Sequence, residues 1–459
     1  MSQILRQYTV STRRSTELVL LVGAWLVGVF AWILVDAASN SGSLGGWSAL
    51  LSAGLLLLCA HSVVRWQAPY ADPVLLPCVA LLNMLGLAMI HRLDVANAAR
   101  AAANNSPQPT PDVYLQLTWM LLGLILFSLI IAFLRNHRRL AQFTFTSGLF
   151  GIVLLFLPLV PGIGNVVNGG RLWISILGFT FQPGELAKIA LAIFFAGYLV
   201  GRRHTLAHVR GSILGIGVPR FRDVGPLILV WFIALLVLVL EHDLGTSLLL
   251  FGLFTVLLYV ATSRRSWVII GALLLTVGGS AAHFAFGHVR IRFSIWLDPF
   301  SQANGDGFQI VQSLYGLANG GLFGTGWGQG YPQLVPFAKT DFITSALGEE
   351  LGLAGLIAIL LIYAIVVERG ARAAVGTRDP FGNLLAIALT TVIGLQAFIV
   401  IGGVTRLIPL TGLTTPFMSY GGSSLVANYI LVALLIRISN SARAPENFAL
   451  DLPKSEVSA

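Results

Sequence analysis

Charge is scarce in this chain. Only 10% of its 459 residues are Asp, Glu, Lys or Arg, where a soluble domain carries about 25%. A water-wetted surface cannot be built from so few charges, so the main solvent must be hydrocarbon. Cysteine is nearly absent. Cys59 and Cys78 both lie inside apolar runs. They offer no disulfide framework and no metal spacing, and read as small buried hydrophobes. No cleavable leader is expected, because the first apolar run starts near Glu17, is long and lacks a small-residue cleavage site. No zinc, haem or Ser/His/Asp constellation stands out. The run Gly324-Thr325-Gly326-Trp327-Gly328-Gln329-Gly330 lacks the dinucleotide fingerprint and follows no strand, so nucleotide binding is rejected.

What is present is apolar. Hydrophobic types make up 56% of the chain and the mean hydropathy is +0.83. Hydrocarbon admits only helices and closed barrels, since every backbone polar group needs an internal partner. Barrel strands would alternate over about ten residues, whereas these runs are continuous and about twenty residues long, the length of a membrane-crossing helix. Spans are expected at 17–35, 47–66, 73–91, 114–134, 143–160, 183–200, 224–240, 245–262, 267–287, 343–367, 382–403 and 420–436. The fold class is therefore an all-α polytopic membrane protein with about twelve transmembrane helices. Only Glu241-His242-Asp243-Leu244 separates the seventh from the eighth.

The net charge of +9 reports topology rather than nucleic acid. With the N-terminus inside, twenty of the 28 basic residues fall on cytoplasmic segments and span ends. Seven lie outside (Arg92, Arg100, Arg171, Arg290, Arg292, Lys339 and Arg406), and Lys188 lies within a span. A wrong span count would invert this bias partway along the chain. It never inverts, so both termini are expected in the cytoplasm, N-in/C-in. The large outer loop 288–342 and the shorter, Gly- and Pro-rich segments 161–182 and 404–419 are the places to look for chemistry.

Ionisable groups inside spans are costly and point to function. Glu185 and Lys188 sit three apart on one helix face, where they can pair; the pair is either structural or offers a cation to an anionic lipid headgroup. Asp243, ahead of Gly245-Thr246-Ser247, is either a helix cap or a functional group. Asp341, Thr344, Ser345 and Gly348 follow a helical i, i+3, i+4, i+7 spacing, with Glu349 and Glu350 two turns in. That small, polar stripe is expected to line a water-accessible cavity, although Asp341 alone could merely offset a helix dipole.

Four segments then resemble one known family. They are Phe181-Gln182-Pro183-Gly184-Glu185-Leu186-Ala187-Lys188, Asp243-Leu244-Gly245-Thr246-Ser247, the stretch from Lys339-Thr340-Asp341-Phe342 to Gly348-Glu349-Glu350-Leu351-Gly352, and Pro416-Phe417-Met418-Ser419-Tyr420-Gly421-Gly422-Ser423. In this order they resemble the SEDS family, the RodA/FtsW peptidoglycan glycosyltransferases. Arg290-Ile291-Arg292 ahead of Trp296-Leu297-Asp298-Pro299 fits as well. The resemblance implies a ten-helix core over 72–438, preceded by a two-helix extension (1–71) of the kind seen in actinobacterial members and followed by a short tail (439–459). The sequence is more similar to the RodA, or elongation, branch. It departs from the family at Gln302 and at Asn304-Gly305-Asp306-Gly307-Phe308-Gln309, and Lys339 stands where His is common.

The resemblance implies polymerisation of lipid II into glycan strands on the outer face of the cytoplasmic membrane, for elongation and shape. It makes Asp341 the catalytic carboxylate. Gln182, Glu185, Lys188, Asp243, Arg292, Lys339 and Ser423 are the expected substrate-binding residues. A divalent cation (Mg2+ or Mn2+) with unassigned ligands, a class B penicillin-binding protein and membrane lipids are the implied companions, with no role for nucleic acid. The residues themselves leave a lipid-linked-precursor flippase or a non-catalytic scaffold as competing readings, although no internal repeat of the transporter kind is visible. The topology is checked by single cysteines in a cysteine-free background. Labels at Asn304 and Ser41 are expected to react from outside, and labels at Arg210 and Thr377 only after permeabilisation; reaction at Arg210 in intact cells refutes the span count.

Overall fold

The computed structural model describes residues 12–39, 46–167, 170–176, 179–207, 211–213, 216–218, 221–241 and 243–445. Ser41 and Arg210, chosen above for labelling, lie outside them. The extension is the helical pair α1 (Arg14–Ala38) and α2 (Trp47–Gln67). Then come α3 (Leu75–Ala103), α4 (Asp112–Phe133), α5 (Thr144–Phe156, entered through a 3-10 segment His137–Phe143) and α6 (Pro183–Ala207). The tight hairpin is α7 (Phe221–Leu240) and α8 (Leu244–Thr262), followed by α9 (Ser266–Ala285). After the long loop, with its short helices α10 (Gly287–Leu297) and α11 (Phe308–Gly320), come α12 (Ile343–Gly376), α13 (Pro380–Val404) and α14 (Gly422–Arg443). Among the described residues 11 segments are long and apolar enough to cross a membrane, and α7 adds a shorter apolar stretch, Gly225–Leu240. The chain is a multi-pass membrane protein.

The radial order of polarity is that of a bundle in lipid. Leu51, Leu55, Phe145, Leu149, Leu273 and Leu361 are exposed, a shell that only hydrocarbon solvates without cost. The helices α3, α13 and α14 are mostly buried and form the centre, while α9 lies on the rim. Small residues let backbones approach, as in other membrane bundles. A Cβ on Gly86 of α3 would lie 2.3 Å from the Met418 carbonyl oxygen, so the segment before α14 packs directly on α3.

Several expectations change. The helix α3 runs on to Ala103, well past the expected end at 91. Segment 161–182 is not irregular: β1 (Gly164–Val167), β2 (Gly170–Ile176) and β3 (Phe179–Phe181) form an antiparallel sheet in that order, with Ser175 opposite Thr180. A two-stranded hairpin, β4 (Gly211–Ile213) and β5 (Ile216–Val218), lies between α6 and α7. The helix α14 continues through 439, the expected start of the tail. The stripe Thr344–Ser345–Gly348 does not line a water-accessible cavity. It is buried, because α11 folds over it: Ser345 Oγ donates to the Ser313 carbonyl at 3.0 Å, and a Cβ on Gly348 would meet Leu317 at 2.5 Å.

The largest departure is a break in α12. Gly352 adopts φ 70, ψ −172, a region open essentially to glycine alone. A broken helix leaves backbone groups orphaned at membrane depth, which hydrocarbon does not tolerate. The glycine-rich loop satisfies them. Thr325 N donates to Glu349 O (3.0 Å), Gly326 N to Glu350 O (3.0 Å), Leu353 N to Gly321 O (2.9 Å) and Ala354 N to Leu322 O (3.0 Å). The two carboxylates join in. Glu349 Oε1 accepts from Asn319 Nδ2 (3.0 Å) and Tyr331 N (2.9 Å). Glu350 accepts from Arg92 Nε (2.9 Å) and Gly328 N (3.1 Å), and Arg92 Nη2 also reaches Gly330 O at 2.7 Å. A Cβ at Gly352 would lie 2.3 Å from Gly324 N, whereas one at Gly278 meets nothing within 4 Å. Gly352→Ala is therefore expected to cost about 1–3 kcal/mol from backbone strain alone, and more with the clash. Gly278→Ala should unfold at the wild-type temperature in the same detergent; equal melting of the two variants contradicts this account.

Candidate active site

Five of the expected site residues come together where α6, α8, α10 and α12 meet the ends of the bundle's loops. α6 opens with Pro183 in its first turn, where a missing N–H costs nothing, and the Gln182 carbonyl accepts from Glu185 N at 3.2 Å. One turn in, Glu185 Oε2 lies 2.5 Å from Lys188 Nζ; both side chains are buried. Lys188 Nζ also donates to Gln396 Oε1 on α13 at 2.6 Å, and Gln396 Nε2 donates to Thr414 O at 2.8 Å. Gln396 is a site residue that the sequence reading missed. It was visible as the amide in the middle of α13, well away from Asn383 at the helix start, but the reading of the spans rests on ionisable groups.

Asp243 caps α8, accepting from Thr246 N at 2.8 Å, while Ser247 Oγ donates to its carbonyl at 2.7 Å. The two readings of Asp243 are compatible, since a capping carboxylate also faces the site. Burial raises its pKa, the bonds from Thr246 oppose that, Glu185 adds to the rise and Arg292 lowers it. Glu241, two residues back, is pushed up to about 9 by burial and by Asp243, and its buried Oε1 has no hydrogen-bond partner.

Arg292 comes from α10, which is stapled to segment 405–412. Trp296 Nε1 donates to Arg406 O (3.1 Å), and Arg406 returns bonds to the carbonyls of Trp296 and Leu297, both at 2.8 Å. Arg292 Nη1 donates to Leu410 O at 2.9 Å. Asp341 sits just before α12 and is half-buried. Its carboxylate and the guanidinium both approach Gly412 (φ +79), where a Cβ would lie 3.7 Å from Asp341 Oδ2 and from Arg292 Nη2. Burial raises the Asp341 pKa from its ordinary value to about 6; Arg292 opposes the rise and Asp243 adds to it. A cleft beside Arg292 is walled by Ile295, Trp296, Gln309, Ile310 and Leu410. Asp341, Arg292 and the capping Asp243 thus lie within electrostatic reach of one another, with the Glu185–Lys188 pair next to Asp243, an arrangement that suits a proton acceptor beside a site for an anionic, partly apolar ligand.

Of the other three expected residues, Gln182 immediately precedes α6. Ser423 is buried in the first turn of α14. The Lys339 ammonium is paired with Asp94 Oδ1 (2.5 Å) and Asp112 Oδ2 (2.6 Å). Burial alone would lower its pKa, but Asp112 and Asp94 overcome this and raise it. Arg92, which braces the break in α12, was counted only as an outer charge.

Comparison with known proteins agrees with this geometry. A family model described as "Cell cycle protein", built on FtsW, RodA and SpoVE, matches residues 73–444. The chain is 50% identical over 439 residues to "Peptidoglycan glycosyltransferase RodA" of Mycobacterium tuberculosis (strain ATCC 25618 / H37Rv), covering 95% of this chain and 92% of that one. It is 36% identical over 319 residues to "Probable peptidoglycan glycosyltransferase FtsW" of Geobacter metallireducens, covering 68% of this chain and 81% of that one. Among solved structures, a chain from a peptidoglycan synthase complex that coordinates polymerization and crosslinking superposes with TM-score 0.65 at 26% identity, covering 81% of this chain and 98% of that chain. The rod shape determining protein RodA of Thermus thermophilus gives 0.55 at 25%, covering 83% and 99%.

Removing one member of a buried ion pair leaves an uncompensated charge and typically costs about 3–5 kcal/mol. Glu185→Ala is therefore expected to lower the unfolding temperature markedly, and Glu185→Gln/Lys188→Met to recover most of that loss. Equal melting temperatures for Glu185→Ala and the double variant would remove the pair from the structural account.

Proposed function

The chain belongs to the FtsW/RodA/SpoVE family, and from that membership we infer a peptidoglycan glycosyltransferase in which Asp341 is the general base. It works on the outer face of the cytoplasmic membrane, in the elongation branch, and its substrate is lipid II. The observation that carries the reading is the approach of both Asp341 and Arg292 to Gly412, with Asp243 and the Glu185–Lys188 pair nearby. The acceptor sugar hydroxyl attacks the anomeric carbon of the donor, and Asp341 accepts its proton as the new glycosidic bond forms. The anomeric carbon–oxygen bond to the polyprenyl pyrophosphate breaks, and the leaving group carries the electron pair away. Arg292 and the Lys188 ammonium stabilise that developing charge. A base is most useful with a pKa near the working pH, and burial has moved this carboxylate toward it.

A divalent cation fits beside Asp243. The orphaned Oε1 of buried Glu241 and the Asp243 carboxylate would hold it. Among the described residues no group of three or more His, Cys, Asp or Glu converges on one point. Substrate phosphate and water must then complete the shell, as is usual for Mg2+. When bound, the cation supplies positive charge to the pyrophosphate. A class B penicillin-binding protein that cross-links the new strands is the proposed partner, supported by the likeness to a chain from a synthase complex that couples the two activities. The protein resides in the cytoplasmic (inner) membrane, in contact with its lipids.

Purified protein given lipid II and no other polymerase should make glycan strands, and Asp341→Asn should make none. General-base assistance is worth roughly 100- to 10,000-fold, so a near wild-type rate for Asp341→Asn refutes the assignment. The variant is also expected to fold well. A carboxyl whose folded pKa is about 6 against an ordinary 3.8 binds protons on folding, so its contribution to stability falls as pH rises through that window. At pH 7 Asp341→Asn should melt no lower than wild type. The rate of the wild-type enzyme should rise with pH across about 6. In Arg292→Gln, with the cation gone, that limb should move to higher pH, and an unmoved limb in an active variant would separate Arg292 from the base.

A further inference from the structure

We propose that Lys339 and Ser419 are positioning residues that fix the Asp341 carboxylate by holding the two residues that precede it, and that neither binds substrate. The proposal rests on the reading of Asp341 as the base.

Asp341 lies outside any helix, in a turn that needs external restraint. Phe337 has φ 57, a left-handed conformation uncommon for a bulky residue. Its carbonyl accepts from both Thr340 N (3.0 Å) and Phe342 N (3.3 Å). Three groups tie this turn down. On one side the Lys339 ammonium bridges Asp94 of α3 and Asp112, the first residue of α4, at 2.5 and 2.6 Å. On the other, Tyr420 N donates to Lys339 O at 2.7 Å and Ser419 Oγ donates to Thr340 O at 2.6 Å. The Ser419 hydroxyl is itself oriented, because it accepts from Thr415 N at 2.8 Å.

The segment that delivers Ser419 is anchored to the bundle. Asn83 Nδ2 of α3 donates to Phe417 O (3.0 Å), Tyr363 Oη of α12 to Pro416 O (2.5 Å) and Gln116 Nε2 of α4 to Ser419 O (3.1 Å). The peptide flanking Asp341 is thus referenced to α3, α4 and α12. Charge argues against a substrate role for Lys339. Its ammonium with two carboxylates carries one net negative charge, which repels a pyrophosphate rather than attracting it. This also gives the Pro-x-x-Ser-Tyr segment a task that its resemblance alone did not specify.

The test uses the full-length protein in liposomes with lipid II at varied concentration, comparing Lys339→Met, Lys339→Arg, Ser419→Ala and Asp341→Asn. Misplacement of a catalytic group by about 1 Å can cost roughly 100-fold. Lys339→Met and Ser419→Ala are expected to lose about 10- to 100-fold in kcat with KM held within about twofold, and Lys339→Arg, which can still bridge two carboxylates, to regain most of the loss. A raised KM with kcat preserved in Lys339→Met would make Lys339 a substrate ligand and overturn the proposal. Wild-type kcat in both Lys339→Met and Ser419→Ala, beside an inactive Asp341→Asn, overturns the clamp and leaves the base standing. A fully active Asp341→Asn sinks both. Should Lys339→Met fail to purify as a monodisperse protein, Ser419→Ala, which keeps every charge, decides alone.

Discussion

Glu349 and Glu350 accept backbone N–H groups from a loop that would otherwise have no reason to enter the bundle, and the upper half of the molecule is organised around that contact. A helix broken at Gly352 needs partners for its freed groups. Residues 321–331 supply them, with Gly324, Gly326 and Gly328 at φ 82, 95 and 79. Only a glycine chain comes this close: a Cβ on Gly324 would lie 2.2 Å from Glu350 O. The same loop reaches the extension, where a Cβ on Gly328 would lie 2.5 Å from Ala38 Cβ of α1. Further along that seam Trp32 stacks on His91, with ring centroids 3.8 Å apart at 7°, and His91 Nε2 meets Asp36 Oδ1 at 2.7 Å. The next residue is Arg92, the partner of Glu350. The N-terminal pair of helices is therefore built into the wall of the core.

The site divides its charges by solvation. Glu185 and Lys188 are nearly dry, and such a pair is weak evidence for stability, because the cost of desolvation offsets much of the attraction. Its use lies in holding an ammonium ready near the membrane without further reorganisation when charge develops. Asp341 and Arg292 are only half-buried and stand on irregular segments at the rim. Irregular backbone is tolerated in a membrane protein where it is buried in protein or lines a wet space. Rigid helices beneath, and turns above pinned by side chains, together give the precision that a proton transfer needs.

Helices were legible because each span carries its own hydropathy signal, and the four motifs were legible because they are short and ordered. The sheet at 164–181 was not, since its strands are brief and glycine-interrupted. The break in α12 was hidden for a physical reason: Gly352 sits in a run whose composition reads as continuous helix, and only the loop packed against it reveals the φ it adopts. The bridge from Lys339 to Asp94 and Asp112 was not legible, because those partners are 245 and 227 residues away in the chain. The role of Arg92 was hidden for the same reason, since Glu350 is 258 residues away. The polar stripe after Asp341 was identified correctly as small and polar. What covers it, α11, comes from a loop whose helical content was not anticipated.

A broken helix at membrane depth is also what carriers use, where two halves of a bundle rock about a central site. The contacts at Gly352 argue that this break does not serve such a motion. Moving segment 343–351 away from 353–376 would strip Glu349 of Asn319 and Tyr331, and Glu350 of Arg92 and Gly328. Two carboxylates would be left buried without partners, each at a cost of several kcal/mol. The same motion would break two of the four backbone hydrogen bonds by which the 321–326 loop ties the two segments together. A flipping cycle would have to meet that cost at every turnover. The break instead gives the first turns of α12 a fixed placement against α11, where Ser345 bonds Ser313 and Gly320 closes on the Gly348 carbonyl. Asp341 stands immediately ahead of those turns. A carboxylate held this firmly suits a reaction at a fixed point above the bundle better than the passage of a headgroup through it.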